Sequence, residues 1–395
     1  MKHGATKMIC ICLFLFSFFT FPSLSEALGN EIKSKKVNQD VIRGIEILYD
    51  WDFDQAEKLF YKVIAENPKD PIGYFYLAMV SWSQLASGFW SSEVVKEYGN
   101  RIDKAISVAR QKIEEGSPDS FTFFYLGGAL GFKGRFQLME RKWFSSFLLA
   151  LEAIEALKTC REMDPENRDV LFGLGIFDYY TARLSGVLKF LTYFLLHQGD
   201  KEEGLRKLHL AADEAVYSSI EAKSLLMHIY LFMEEEREKA LPMVKELVGR
   251  FKNNSRNKYL EGATYIFLER EPEYRAIVDI FYQRARNEAS ITDASLWRKR
   301  ALYLEASYHL FFGQSNTARF KLESILSQAE PDNDPFMIGW PLLKMGMSWD
   351  MEDKREQAVS YYKKVMSMEN GAGAQFLAEK YLQNPAKKKD PFLCY

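Results

Sequence analysis

The sequence has few cysteines, few prolines and almost no net charge, and each shortage excludes a class of protein. Only 4 Cys occur in 395 residues, so the chain is not a disulfide-dense scaffold. The 12 Pro and the 47% of hydrophobic residues exclude collagen-like and disordered chains. The 52 Lys and Arg balance 54 Asp and Glu, so no overall field attracts polyanions. We expect a folded protein without a nucleic-acid partner.

The usual signatures of enzymes and metal sites are also missing. The five His form no H-E-x-x-H motif, and none has a cysteine at the spacing of a zinc site. The glycine-rich stretch from Gly127 to Gly134 lacks the G-K-[ST] end of a phosphate loop. We therefore predict that the chain is not an enzyme, with no catalytic residues, no metal site and no cofactor.

A targeting segment occupies residues 1–27. Basic residues precede an apolar run from Met8 to Phe21, and Ser25 and Ala27 are small residues at the cleavage positions. The run is shorter than the ~20 apolar residues of a membrane span. We predict a cleaved signal peptide and export to the periplasm or cell envelope of a bacterium. An uncleaved inner-membrane anchor is the alternative, and it would be the chain's membrane contact.

Cleavage would remove Cys10 and Cys12 and leave Cys160 and Cys394. Oxidation in an exported chain would join these two as a disulfide. However, Cys160 falls at a helix-packing position and Cys394 lies one residue from the end. We therefore predict a buried thiol and a thiol in the tail.

Small and apolar residues recur at fixed intervals beyond the targeting segment. The clearest copy consists of Leu342, Met345, Gly346, Trp349, Ala358, Tyr362 and Val365. Other copies include Ala56, Phe60, Val63 and Pro68, then Phe123, Leu126 and Gly127, then Leu171, Leu174 and Gly175. The apolar positions of each copy share one helix face, and the small residues let neighbouring helices approach closely. The spacing resembles the tetratricopeptide repeat (TPR), in which each copy of about 34 residues forms two helices.

This resemblance predicts an all-α fold, a TPR-like superhelical solenoid of antiparallel helix pairs with inserted helices, preceded by the signal helix. The solenoid would cover residues 28–395 as one quasi-linear stack. Its segments are N-terminal repeats at about 40–180, an apolar insert at 181–200, middle repeats at 201–330, and a C-terminal repeat and tail at 331–395.

The insert contains Leu184–Leu196, an apolar block of 13 residues. The stretches Gly173–Phe177 before it and Gly199–Leu205 after it resemble a TPR-like family that includes factors linked to inclusion-body clearance. That second resemblance implies kinship of fold.

In TPR stacks the first helix of each pair lines a concave groove. The resemblance assigns to that groove Phe75, Met79, Trp82, Phe124, Phe132, Phe172, Tyr179, Tyr180, Tyr308 and Phe311. The chaperone-tail clamp of the family uses Lys and Asn at such positions, and this chain has aromatic residues instead. Aromatic side chains suit an apolar helix or an extended peptide.

We therefore predict a non-enzymatic, exported scaffold that binds a peptide or envelope protein through a concave, aromatic-lined groove. The alternative is a carrier for an apolar ligand such as lipid, in which the aromatic interior and the insert enclose a cavity. Aromatics exposed along one wall would favour the scaffold. Burial of these aromatics around a closed apolar cavity would favour the carrier, unless inserted helices make them ordinary core.

Overall fold

The structure is a computed structural model that describes residues 38–87, 91–183, 199–289, 291–329 and 335–387. The predicted signal segment, the block Leu184–Leu196 and Cys394 lie outside the described residues. The chain divides into two units, Met1–Gln39 and Asp40–Tyr395, and the helices below are those of the second. Within the described ranges the chain is helical and contains no strand, which confirms the predicted fold class.

The helices follow one another as pairs joined by turns. The bounds of the first half are α1 at residues 38–49, of which 40–49 belong to this unit, α2 Phe53–Glu66, α3 Pro71–Ala86, α4 Ser92–Glu114, α5 Ser120–Met139, α6 Trp143–Met163, α7 Val170–Ala182 and α8 Lys201–Glu214. Those of the second half are α9 Ser219–Phe232, α10 Arg237–Arg250, α11 Ser255–Phe267, α12 Glu271–Asn287, α13 Ile291–Phe311, α14 Ser315–Leu326, α15 Phe336–Asp350, α16 Arg355–Met366 and α17 Ala374–Gln383. The odd-numbered helices up to α15 are the first helices of the pairs, and α17 follows the last pair.

The turn inside a pair repeats one conformation along the stack. A left-handed residue stands two positions before the second helix at Trp51, Arg141, Glu235, Glu269, Gly313 and Asp353. In five of these six turns, all but the one at Glu235, the next residue donates its backbone N–H to the carbonyl five residues back, as Lys142 does to Gln137 and Arg270 does to Tyr265, both at 2.9 Å. This is a Schellman-type helix end. Its recurrence at one place in the pairs marks them as copies of one unit.

Small residues lie where the two helices of a pair cross, as the repeat pattern predicts. A Cβ added to Gly346 on α15 would stand 2.7 Å from Cδ1 of Tyr362 on α16. A Cβ on Gly175 of α7 would stand 3.0 Å from the carbonyl oxygen of Gly204 on α8. Separations this short leave no room for a side chain, so glycine sets the distance between these helices.

Later pairs also contact earlier pairs across the superhelix. The contacts between distant segments include the Asn253 amide with the Asp50 carboxylate at 2.8 Å, the Arg300 guanidinium with the Ser87 carbonyl at 3.0 Å, and the Arg141 guanidinium with the Glu379 carboxylate at 3.1 Å. The α10–α11 turn thus reaches the end of α1, α13 reaches the end of α3, and α17 reaches the α5–α6 turn. The coil is therefore tight enough for distant pairs to touch at their turns and helix ends.

Two further expectations concern thiols and membranes. Cys160 is a buried free thiol, as predicted, and burial raises its pKa to about 12. In the ranges that the structure describes, none of the helices combines the length and apolar character needed to cross a bilayer.

Candidate functional site

An apolar cavity of about 500 Å³ lies inside the first part of the superhelix. Its walls come from α1, α3, α5, α6 and α7, and residues from Tyr217 to Leu225 close one side. Most of the predicted groove residues meet here, namely Phe75, Met79, Trp82, Phe124, Phe132, Phe172 and Tyr180. The sequence offsets therefore identified one continuous surface. The leading prediction placed these residues along an open groove, whereas the carrier alternative placed them around a cavity, and the structure shows a partly open cavity.

The aromatic residues of the cavity are largely shielded from solvent. Phe75, Trp82 and Phe124 are only 5%, 7% and 6% exposed. Their rings contact one another or neighbouring rings, and Trp82 lies 5.4 Å from Phe132 between ring centroids. An open wall of exposed aromatics is therefore not what the structure shows. The physical reason is the tight coil, because the start of α9 covers a surface that a looser coil would leave open.

Three predicted groove residues lie outside the cavity lining. Tyr179 is fully buried at the α7–α8 crossing, where its hydroxyl donates to Glu234 at 2.7 Å. Burial and the Glu234 carboxylate both raise its pKa. Tyr308 stacks on Tyr274 with 4.3 Å between ring centroids, and Phe311 is buried in the second half of the stack. These side chains pack helices together.

The rim of the cavity is formed by residues that remain accessible. Leu138 and Tyr180 both line the cavity and are 37% and 38% exposed. Arg135, on the same helix as Leu138, is also exposed and lines the cavity. Burial raises the pKa of Tyr180, and the positive charges of Arg135 and Arg183 oppose that rise. Arg135 and Tyr180 thus both border the opening of the cavity.

Arg135 and Glu221 are the charged residues of the described lining. The Glu221 carboxylate accepts a hydrogen bond from the Tyr49 hydroxyl. The Arg135 guanidinium lies over the Trp82 ring, 5.2 Å from its centroid. No carboxylate pairs with Arg135 among the described residues, unlike Arg183, which forms an ion pair with Glu234 at 2.7 Å. The lining thus combines a large apolar surface with one uncompensated positive charge at the rim.

The sequence analysis missed Arg135 and Gly131. Both follow Phe124 and Gly128 at helical spacing, so they fall on the face of α5 that carries the predicted groove residues. A Cβ on Gly131 would meet no atom within 4 Å, so Gly131 borders open space. The helical spacing of Gly131 and Arg135 from Phe124 is the sequence signal that could have identified them.

The described lining contains few ionisable groups. Within the described residues, no three or more His, Cys, Asp or Glu side chains are grouped to hold a metal ion. The lining offers one arginine and one carboxylate that is already hydrogen bonded, and this is not an acid–base pair positioned on a common substrate.

Comparisons with known proteins add little to this description. No family model matches the sequence, and no curated protein matches it. Among solved structures, the chain is similar to one described as the TPR domain of P58(IPK), with 16% identity over 88% of this chain and 89% of that chain. The TM-score of that superposition is 0.22, so it carries no argument about this chain. The repeated turns and close crossings carry the fold assignment instead.

Proposed function

We propose that this chain is a non-enzymatic binding protein that holds an apolar ligand in its inner cavity. The observation that carries the proposal is the cavity of about 500 Å³, lined mainly by aromatic, aliphatic and glycine residues. Ligand pockets in proteins typically measure about 300–1,000 Å³ and combine apolar walls with few polar groups. The ligand class is therefore that of the predicted alternative, a lipid or another small apolar molecule.

The burial of the lining weighs against a helical peptide in this place. An α-helix with its side chains is about 10 Å wide. Phe75, Trp82 and Phe124 are only 5%, 7% and 6% exposed, so a helix could not lie along them without opening the superhelix. A thinner apolar chain, or one or two side chains of a partner, is the occupant that this lining favours.

A cavity-filling variant tests the proposal. Gly131→Leu places a side chain in the space beside Gly131, and Gly249→Leu is the matched control because Gly249 is a helical glycine with nothing within 4 Å, away from the cavity. With N-phenyl-1-naphthylamine as the apolar probe, we expect Gly131→Leu to weaken binding about tenfold or more and Gly249→Leu to leave it unchanged. Equal binding by both variants would refute the cavity as the site.

A protein-interaction scaffold is the second candidate function. It is favoured by an apolar patch on the first turns of α6, where Trp143, Phe144 and Leu148 are 48%, 75% and 48% exposed. Exposed apolar clusters of this kind mark protein–protein contacts in many proteins. On the same helix Ser146 and Ala150 line the cavity, so a partner bound at the patch would lie beside the ligand.

Crosslinking in the cell envelope tests this second function. A photo-crosslinking residue placed next to the patch should capture a discrete partner, and Phe144→Ser together with Leu148→Ser should abolish that product. Phe320→Ser is the control, because Phe320 is 72% exposed on α14 and outside the patch. A product that persists in the patch variant, or disappears equally in the control, would contradict the scaffold role of the patch.

We further propose that the chain is exported. Support comes from the basic start, the apolar run from Met8 to Phe21 and the small residues Ser25 and Ala27. N-terminal sequencing of the protein from fractionated cells tests this directly. A mature terminus after Ala27 in the envelope fraction supports cleavage and export, whereas an intact Met1 in membranes supports the anchor and an intact Met1 in the cytosol refutes both.

A further inference from the structure

The charges around the cavity indicate what kind of apolar molecule it accepts. A neutral ligand gains nothing from a charged residue at the opening. A ligand that covers an unpaired guanidinium without offering a counterion also incurs the cost of removing that charge from water. Arg135 has that position, exposed at the rim and without an ion pair among the described residues. The favourable complement is an anionic group at the rim, attached to an apolar body in the cavity.

We propose that the ligand is a single-chain anionic amphiphile of the fatty-acid type, bound with its carboxylate at Arg135 and its alkyl chain in the cavity. This inference rests on the proposed function and specifies its ligand. Arginine presents a rigid fork of N–H donors that matches a carboxylate in a two-point hydrogen bond. The Trp82 ring beneath the guanidinium, 5.2 Å away at its centroid, restricts its orientation without neutralising its charge.

The cavity has room for an alkyl chain. Its volume of about 500 Å³ lies within the range of about 300–1,000 Å³ that is typical of small-molecule pockets. The described lining offers one arginine at the rim, which matches a single carboxylate. These two features favour a single-chain acid as the ligand.

The second charge of the lining supports the same orientation. Glu221 lies on α9 and carries a carboxylate that accepts from the Tyr49 hydroxyl. A ligand carboxylate near Glu221 would face a like charge in an apolar environment, which is strongly unfavourable. The charges of the described lining thus disfavour an anionic headgroup at Glu221 and favour one at Arg135.

The closing experiment compares a charged ligand with its neutral analogue. cis-Parinaric acid and its methyl ester carry the same fluorescent chain and differ in charge, and both are titrated at 150 mM NaCl to limit non-specific attraction. In the unmodified protein we expect the acid to bind about 10- to 100-fold more tightly than the ester, the range of a charged hydrogen bond. Arg135→Gln should abolish this preference by weakening binding of the acid more than binding of the ester, while Arg135→Lys should retain part of it.

Other outcomes separate the inference from the proposed function. Arg275→Gln is the control, since Arg275 is an exposed arginine on α12 outside the cavity, and it should change neither affinity. If acid and ester bind equally well, or if Arg135→Gln weakens both equally, the headgroup assignment is overturned while the apolar cavity stands. If neither probe binds, or if Gly131→Leu does not weaken the binding of either probe, the inference and the proposed function both fail.

Discussion

Replacing Gly346 by alanine provides a direct test of the close helix crossings. The added Cβ would stand 2.7 Å from Cδ1 and 2.9 Å from Cζ of the Tyr362 ring, well inside ordinary contact distance. Tyr362 is fully buried, and its hydroxyl donates to Asp350 at 2.8 Å. The same carboxylate accepts from Arg355 at 3.0 Å and from the Ala386 backbone N–H at 2.9 Å. The ring therefore has little freedom to move away.

The expected cost follows from these contacts. Overpacking of a core by one carbon costs about 1–3 kcal/mol, and a strained hydrogen bond to a buried carboxylate adds about 1 kcal/mol. Alanine regains about 1 kcal/mol over glycine in a helix interior. Gly346→Ala should thus lower the free energy of unfolding by about 1–3 kcal/mol. Gly249→Ala, with open space around the new Cβ, should instead raise it by up to about 1 kcal/mol.

Urea unfolding followed by circular dichroism at 222 nm measures both variants under the same conditions. A lower urea midpoint for Gly346→Ala and a higher one for Gly249→Ala would support the close crossing of α15 and α16. The same shift in both variants would refute it. A Tyr362→Phe background provides a further check. Without the hydroxyl the ring is no longer held by Asp350, so Gly346→Ala should cost less there than in the unmodified chain.

Other predictions concern a thiol, a turn and a helix cap. At pH 8 iodoacetamide should label the Cys160 peptide in denaturant and spare it in the native protein, because burial raises the thiol pKa to about 12; equal labelling by mass spectrometry would contradict this. In thermal unfolding, Gly313→Ala should lower the free energy of unfolding by about 1 kcal/mol, because φ is +74° there and a Cβ is disfavoured at that angle. Glu269→Gly in the equivalent turn should not lower it. Asp119→Ala should cost about 1 kcal/mol near pH 7 in urea unfolding, because the Asp119 carboxylate accepts from the Thr122 N–H at 2.7 Å and caps α5. Burial acts to raise the Asp119 pKa, but bonds from Thr122 and Lys112 lower it overall, so the cost should be present above about pH 4 and shrink as the pH falls below that.

Local spacing was sufficient to predict the helix pairs. Gly175 and Gly346 recur at the position where a small residue is needed, and both lie at close crossings in the structure. The same register located Phe75 and Phe124 on one surface, because residues at fixed offsets of successive first helices face the same side. Each of these predictions depends on contacts within a pair or between neighbouring pairs, and such contacts leave a periodic signal in one sequence.

The tightness of the coil could not be predicted in this way. Asn253 and Asp50 are 203 residues apart, and each lies in a turn where any polar residue would satisfy the repeat pattern. Curvature of a solenoid arises from a small rotation per repeat that accumulates along the stack. Spacing within a repeat does not fix that rotation closely enough to tell whether distant pairs meet. The repeat pattern alone therefore could not predict whether Phe75 and Phe124 are exposed or buried.

Tight coiling changes what the aromatic residues can recognise. In an open groove Phe75 and Trp82 would offer their faces to an extended peptide, and selectivity would come from many contacts along its sequence. Here both pack edge to face against Phe132 in the cavity wall, at 6.2 Å and 5.4 Å between ring centroids. Under the proposed function, an occupant is selected by volume, by lack of polarity and by the charge of Arg135 at the entrance. Curvature, more than residue type, would then turn a surface suited to peptides into a site for one small amphiphile.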